Sequence, residues 1–302
     1  MNMGPDEGQS CHKTVCVMDV SGPLGSSLVD CLLNRGYYVH AATNNLHGAL
    51  HDLKGLPIDN NRLKLFRSDP FDYQSIVDAL KGCSGLFYMF EESIYDEFTA
   101  EIEVRAALNV LEACAQTETM ERVVFTSSVT AVVWKEKRDL DTDVDERNWS
   151  DPEFCRKFKL WHALAKTLAE KTAWALAMDR GVDMVSINAG LLLTGGQLSP
   201  ENPYLKGTPE MYGDGVLVTV DLKFLVDAHI CVYENSLAFG RYLCFNHTVC
   251  RPEDAVKLAK MLVPSSPAPP PSDGLMVIQQ RIQNKKLNKL MVDFIDEVHV
   301  DD

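Results

Sequence analysis

The chain has 302 residues, a length that favours one large α/β unit with an appendage. Apolar residues make up 46 % and charged residues 24 % of the chain, a globular balance that excludes a mainly disordered protein. With 29 basic and 43 acidic residues the formal net charge is −14, so nucleic acid and anionic membrane surfaces are poor partners.

Short apolar runs alternate with amphipathic stretches from Thr14 onward. Residues 14–20 form a continuous run rich in β-branched side chains, which is typical of a strand buried on both faces. In residues 22–35 leucines recur four positions apart and Gly36 follows, which predicts a helix that ends at a glycine. Further strands are predicted at 37–43, 63–67, 85–90, 122–127, 183–187 and 241–245, and helices at 73–81, 98–115, 161–178 and 221–234.

The order of these elements predicts the fold class. Strands and helices that alternate at this spacing imply right-handed crossovers and a parallel, doubly wound α/β sheet of the Rossmann type. Residues 14–192, completed by 216–248, are therefore predicted to form a dinucleotide-binding domain.

Two regions interrupt the alternation. Residues 193–215 are rich in Gly and Pro and are predicted to be a loop, and residues 264–272 are predicted to be a Pro-rich linker. A helix is predicted in the middle of residues 275–300. We expect 193–215 and 249–302 to form a small C-terminal substrate region.

Cysteine spacing and the first residues indicate the compartment. Residues 1–13 are polar and acidic and lack the apolar centre of a secretory signal, so a flexible N-terminus is predicted. No apolar run approaches the ~20 residues of a membrane helix. The nine cysteines include no Cys-x-x-Cys pair, which indicates neither a disulfide framework nor a metal site. We expect a reduced, cytosolic protein without a membrane partner.

The first predicted strand is followed by two glycines, Gly22 and Gly25. Nucleotide-binding folds place glycines at this turn so that the backbone approaches a pyrophosphate at a helix N-terminus. Asp19 stands at a position where another glycine is expected. A tight strand–helix turn without a ligand explains the same residues equally well, and both interpretations stay open here.

Two further groups of polar residues could carry chemistry. The strand at 122–127 leads into Ser127 and Ser128, at the edge where doubly wound sheets bind ligands. His162 and Lys166 are four apart on a predicted helix, so they share one face. An exposed His and Lys on a solvated face is the simpler interpretation of the second pair.

Six stretches carry a resemblance to a known family: Gly22-x-x-Gly25, 122–128, 148–155, 166–174, 220–229 and 240–242. Together they resemble the extended short-chain dehydrogenase/reductases. Within that family they resemble the plant cinnamoyl-CoA reductase and dihydroflavonol reductase group, and the run 159–166 is similar to its divergent branch. The resemblance covers residues 14–246 and fades past Pro252.

The resemblance implies a reaction and three catalytic positions. In that family a Ser, a Tyr and a Lys reduce a carbonyl with NADPH. The family's Ser falls on Ser128 and its Lys on Lys166, whereas the Tyr position is His162. His162 would act either as a charged proton donor or as a neutral group that positions a water, and Lys166 beside it favours the neutral form.

The resemblance also implies an NADP(H) site that binds weakly. Asp19 brings a carboxylate toward the expected pyrophosphate, and Asn44 replaces the Arg that pairs with the 2′-phosphate. His40 and Arg67 are candidates to supply the missing charge, and Phe90 could crowd the cofactor. The cofactor-binding positions implied are Ser21, Gly22, Leu24, Gly25, Asn44, Asp69, Lys166 and Leu191.

Two functions follow. The favoured one is an NADP(H)-dependent oxidoreductase that acts on a small carbonyl or acyl-CoA substrate of phenylpropanoid type, because Ser128 and Lys166 are retained. The alternative is a catalytically impaired protein that binds a nucleotide or metabolite and acts through a partner, because Asp19, Asn44 and His162 all depart from the family pattern. The sequence predicts no oligomeric state.

Overall fold

A computed structural model describes residues 13–56, 61–136, 142–196, 198–264 and 277–298. The strands are β1 (Thr14–Met18), β2 (Tyr38–Thr43), β3 (Leu63–Arg67), β4 (Gly85–Tyr88), β5 (Arg122–Ser128), β6 (Met184–Ala189), β7 (Leu191–Leu193), β8 (Val218–Asp221), β9 (Gly240–Cys244) and β10 (His247–Thr248). A seven-stranded parallel sheet has the order β3-β2-β1-β4-β5-β6-β9, and a small three-stranded sheet has the order β10-β8-β7. The Rossmann-type α/β fold predicted from the sequence is confirmed.

Helices cover both faces of the large sheet. They are α1 (Pro23–Asn34), α2 (Leu46–Asp52), α3 (Tyr73–Leu80), α4 (Thr99–Ala115), α5 (Pro152–Lys157), α6 (Trp161–Arg180), α7 (Thr208–Gly213), α8 (Leu222–Glu234), α9 (Pro252–Leu262) and α10 (Lys285–Val298). In β1, Val15 and Val17 pack with α1 and α8. Cys16 and Met18 pack with α3, α4 and α6 on the opposite face. This alternation is why the strand is apolar along its whole length.

A third apolar cluster joins the start of α6 to the small sheet and to the last segment of the chain. There Gly215 (φ +68°) lies so close to residue 279 that a Cβ would come within 1.9 Å of the Gln279 carbonyl oxygen. Arg281 N–H donates to the Gly215 carbonyl at 2.9 Å, and Val144 N–H donates to the Arg281 carbonyl at 2.7 Å. The segment after the Pro-rich stretch therefore packs onto residues from earlier in the chain.

The predicted strands and helices of the large sheet are found within a few residues of their predicted bounds, and the late helix is α10. The loop predicted at 193–215 was wrong in part, because it contains a one-turn helix at Pro203–Leu205 and α7. Residues 1–12 and 265–276, which include most of the predicted linker, lie outside the described residues. Among the described helices none is both long and apolar enough to cross a membrane.

Candidate active site

The carboxyl ends of β1, β4, β5 and β6 open into one cleft of about 400 Å³. Asp19, Gly22, Ser128, His162 and Leu191 line it, so the structure brings together most of the positions that the sequence indicated. Its lining carries three carboxylates, from Asp19, Glu91 and Glu92, and no Lys or Arg among the described residues.

The turn between β1 and α1, residues 19–25, is called the glycine turn below. Gly22 has φ +93°, a conformation that favours glycine. A Cβ on Gly25 would lie 2.4 Å from the Asp19 carbonyl oxygen, so the close passage of α1 beneath the turn requires glycine there. Leu24 is partly buried against the core. The backbone of this turn therefore fits the predicted role of a pyrophosphate cradle.

Two carboxylates accept hydrogen bonds from the backbone amides of the glycine turn. Ser21 N–H donates to Asp19 Oδ1 at 3.0 Å, and the Ser21 hydroxyl donates to Asp19 Oδ2 at 2.5 Å. Gly22 N–H donates to Oδ2 of Asp52, the last residue of α2, at 2.9 Å. This hydrogen bond from Gly22, with a further one from His51, lowers the pKa of Asp52.

The predicted adenosine side of the cleft offers little positive charge. Asn44 is exposed between β2 and α2, and Asp69 accepts the Phe71 N–H at 2.8 Å. Arg67 is exposed at the end of β3. His40 was a wrong candidate for a compensating charge, because it is buried with Nδ1 2.7 Å from the Ala79 carbonyl oxygen, and burial lowers its pKa.

Ser128, Thr130 and His162 form a buried hydrogen-bonded chain, called the triad below. The Thr130 hydroxyl donates to Ser128 Oγ at 3.0 Å and lies 3.1 Å from His162 Nδ1. Since the Thr130 proton is directed at Ser128, His162 donates from Nδ1 to Thr130. Thr130 N–H also donates to Ser128 Oγ at 3.2 Å, which leaves the Ser128 proton free for an acceptor in the cleft.

His162 is neutral at pH 7. Its side chain is buried, the Tyr95 ring packs edge-on against it at 4.9 Å, and burial lowers its pKa to about 4. The nearby positive charge of Lys166 acts in the same direction. Of the two roles expected from the sequence, this lowered pKa favours the neutral group over the charged proton donor at neutral pH.

Lys166 is buried between two carboxylates. Its Nζ lies 3.1 Å from Glu91 Oε1 and 3.1 Å from Glu103 Oε1, and it donates to the Phe90 carbonyl oxygen. Two carboxylates share one ammonium here. Burial and the neighbouring Glu91 raise the pKa of Glu103 to about 7 despite the opposing charge of Lys166. The predicted contact of Lys166 with a nicotinamide ribose stays a prediction, and it requires the ammonium to leave these partners.

The apolar residues of the cleft differ in one place from the prediction. Ala189, Gly190 and Leu191 line it, and of these Leu191 was implied as a cofactor-binding position. The suggestion that Phe90 crowds the cleft was wrong, because Phe90 packs on the opposite face of the sheet with α4 and α6. Met89 lines the cleft in its place.

A buried carboxylate that sequence reasoning missed supports the triad from below. Glu170 accepts from Ser127 at 2.8 Å, Ser186 at 2.7 Å and Asn188 at 2.7 Å, and it pairs with Arg241 at 2.8 Å. Asn188 also donates to the Ser128 carbonyl oxygen at 3.3 Å. Glu170 lies four residues after Lys166, one turn along α6, and this spacing was the sequence signal that could have identified it.

The parallel sheet, with a glycine turn after its first strand and a polar cleft at its carboxyl edge, defines an α/β protein of the dinucleotide-binding class. Residues 15–201 match the NAD dependent epimerase/dehydratase family. The chain belongs to this family, that of the extended short-chain dehydrogenase/reductases, and the resemblance inferred from the sequence is confirmed.

Two relatives indicate which members of the family the chain is similar to. The chain is 36 % identical over 297 residues to cinnamoyl-CoA reductase 1 of Petunia hybrida, a match that covers 93 % of this chain and 88 % of the relative. It is 33 % identical over 279 residues to dihydroflavonol 4-reductase of Arabidopsis thaliana, covering 85 % and 71 %. A match over 93 % of the chain extends beyond Pro252, farther than the residues 14–246 over which the sequence motifs carried the resemblance.

Solved structures agree with this assignment. Vestitone reductase from alfalfa (Medicago sativa) is 27 % identical, with a TM-score of 0.68 over 92 % of this chain and 91 % of that chain. Yeast methylglyoxal/isovaleraldehyde reductase in complex with NADPH has a TM-score of 0.71 over 92 % and 93 %, and at 17 % identity it shows the shared fold alone. The relatives named here are reductases, which supports an oxidoreductase.

Proposed function

We propose that this protein is an NADP(H)-dependent oxidoreductase that reduces a small carbonyl compound or an acyl-CoA thioester of phenylpropanoid type. The reductase relatives at 33–36 % identity support the class of reaction and of substrate. The observation that carries the proposal is the triad, because it leaves one hydroxyl proton of Ser128 free at the cleft, where a carbonyl oxygen would need a donor.

The cofactor would lie along the glycine turn and the carboxyl ends of the strands. The backbone of Gly22 and Gly25 fits a pyrophosphate, whereas the carboxylates of Asp19 and Asp52 must give up the amides that they hold. Leu191 and the residues before it would flank the nicotinamide, and Asp69 would meet the adenosine. When bound, the cofactor supplies a hydride to the carbonyl carbon.

The triad supplies the matching proton to the carbonyl oxygen. The O–H bond of Ser128 breaks as its proton passes to the substrate oxygen, the Thr130 proton moves to Ser128, and the Nδ1 proton of His162 moves to Thr130. As its Nδ1 proton leaves, His162 takes a proton from solvent at Nε2 in the same step, so it changes tautomer and no imidazolate forms. Because the pKa of His162 is lowered to about 4, its neutral form prevails over the physiological pH range, and the relay does not require the charged form.

Thr130→Val tests this proposal, since it keeps the shape of the side chain and removes the hydroxyl that joins Ser128 to His162. NADPH oxidation would be followed with cinnamaldehyde and cinnamoyl-CoA as probes. We expect kcat to fall by about 10²-fold with little change in KM. Thr167→Val is the matched control, because Thr167 is a buried threonine of α6 whose hydroxyl donates only to the Ala163 carbonyl oxygen at 2.6 Å. Equal kcat values for wild type and Thr130→Val would contradict the relay.

A second function is favoured by a different observation. The ammonium of Lys166 is neutralised by Glu91 and Glu103, and the described lining of the cleft contains no Lys or Arg. A protein that binds a nucleotide or metabolite without turning it over would have this arrangement. Folded wild type that binds NADPH but reduces neither probe, and gains no activity in His162→Tyr, would favour this second function.

A further inference from the structure

The last residue of α2 contacts the glycine turn through one hydrogen bond. Asp52, 30 residues away in sequence, ends α2 and accepts the Gly22 N–H at 2.9 Å. Gly22 precedes the first residue of α1, and amides at this end of a helix have no partner inside the helix. Pro23, the first residue of α1, has no N–H. Ser21 and Gly22 are therefore the first donors that the turn can offer to an anion.

A pyrophosphate would need the same donors that the carboxylates hold. One oxygen of Asp52 already accepts the Gly22 proton, and one of Asp19 accepts the Ser21 proton at 3.0 Å. Carboxylate and phosphate oxygens are both anionic acceptors, so the two groups compete for the proton and repel one another. The described lining of the cleft contains no Lys or Arg that would offset the repulsion.

We propose that Asp52 determines the ligand specificity of the glycine turn: it holds the Gly22 amide against a dinucleotide pyrophosphate and favours ligands that carry no pyrophosphate. The inference rests on the proposed function only in taking this turn as the place where the pyrophosphate would bind. A dinucleotide then occupies the cleft only when the Asp52 side chain turns away from Gly22. Asp52 is partly exposed, with 32 % of its side-chain surface accessible, so it can turn toward solvent without opening the core.

The competing explanation is that Asp52 only anchors α2 to the turn. In that case its removal would lower the melting temperature and leave ligand affinities unchanged. Asn at this position keeps a neutral acceptor for the Gly22 amide, whereas Ala leaves the amide unpaired. The order of the two variants in binding therefore separates competition from anchoring.

The experiment is a calorimetric titration of NADPH, NADH and adenosine 2′-monophosphate, which has no phosphate at its 5′ position, into wild type, Asp52→Asn and Asp52→Ala. Asp30→Asn is the matched control, because it removes one exposed carboxylate from α1 and changes the net charge equally. We expect Asp52→Asn to bind NADPH and NADH roughly fivefold more tightly than wild type, and Asp52→Ala at least as tightly as Asp52→Asn. Binding of the monophosphate should change no more than in Asp30→Asn.

Two results would overturn the proposal. One is a wild-type and Asp52→Ala affinity for NADPH that agrees within twofold, including the case in which neither protein binds it. The other is an equal gain for adenosine 2′-monophosphate, which would make Asp52 a general electrostatic influence. A gain for both dinucleotides without any carbonyl reduction would support the role of Asp52 and count against the proposed oxidoreductase, so the two failures are distinguishable.

Discussion

The two walls of the cleft differ in whether their polar hydrogens are free to bind a ligand. On the wall formed by β5 and α6, the triad consists of neutral groups, and the free proton of Ser128 faces the cleft. On the wall formed by the glycine turn, the amides of Ser21 and Gly22 are bound by carboxylates. One wall is ready to donate to a neutral oxygen, and the other resists an anion. Because different residues form the two walls, substrate chemistry and cofactor affinity can be altered separately in this chain.

The largest expected effect comes from removing the support of the first wall. Glu170→Ala leaves Arg241 without its carboxylate and three other donors without an acceptor in the core, so we expect a loss of about 3–5 kcal/mol in the free energy of unfolding. Urea unfolding measures it. Glu121→Ala is the control, since Glu121 forms an exposed ion pair with Lys13 and should cost less than about 1 kcal/mol. A loss below about 1 kcal/mol for Glu170→Ala would mean that the triad does not depend on this carboxylate.

A smaller effect concerns the charge of the first wall. Burial lowers the pKa of His162 from 6.5 to about 4, so the unfolded chain binds a proton at a pH where the folded chain does not. His162 therefore contributes stability that is present above about pH 6.5 and is lost as the pH falls toward 4, by up to about 3 kcal/mol.

The measurement is the difference in unfolding free energy between wild type and His162→Asn at about pH 7 and pH 5. The difference should be larger at pH 7. The NMR signal of His162 should show no titration above about pH 5. A midpoint near 6.5 would contradict the neutral triad and restore the charged proton donor.

The smallest effect concerns the second wall. Asp19→Gly removes the carboxylate that holds the Ser21 amide, and we expect NADPH to bind more tightly by about 1 kcal/mol. Fluorescence titration of NADPH against wild type and Asp19→Gly, at low and high salt, measures the change. The gain should shrink at high salt, because it includes removal of a like charge. No gain at low salt would mean that the amide of Ser21 takes no part in binding.

Much of the fold was predictable because it depends on local patterns. The apolar run of β1 and the leucines of α1 are read from neighbouring residues, and the alternation of such elements allows few sheet topologies. The short helices α2, α5 and α9 were missed, since each has one to three turns and two of them begin at a proline. The same period of two that defines β4 could have corrected the error at Phe90, because Phe87 and Met89 share one face and Phe90 lies on the other.

The site was predictable only as far as a resemblance could carry it. Ser128, His162 and the glycine turn were found because they stand at family positions, and the structure brings them to one cleft. Thr130 meets His162 across 32 positions, and Asp52 meets Gly22 across 30 positions. Contacts of this kind depend on how helices pack over the sheet, and no local spacing in the sequence reports them.

The structure brings into contact two stretches that supported the family assignment, 148–155 and 240–242. The guanidinium of Arg241 stacks on the Trp149 ring with 3.5 Å between its central carbon and the ring centroid, and it donates to the carbonyl oxygens of Glu146 and Asn148. The same guanidinium pairs with Glu170. A chimera assembled from this chain and a relative should therefore transfer both stretches from the same parent. A crossover placed between them would combine Arg241 from one parent with the Trp149 region of the other.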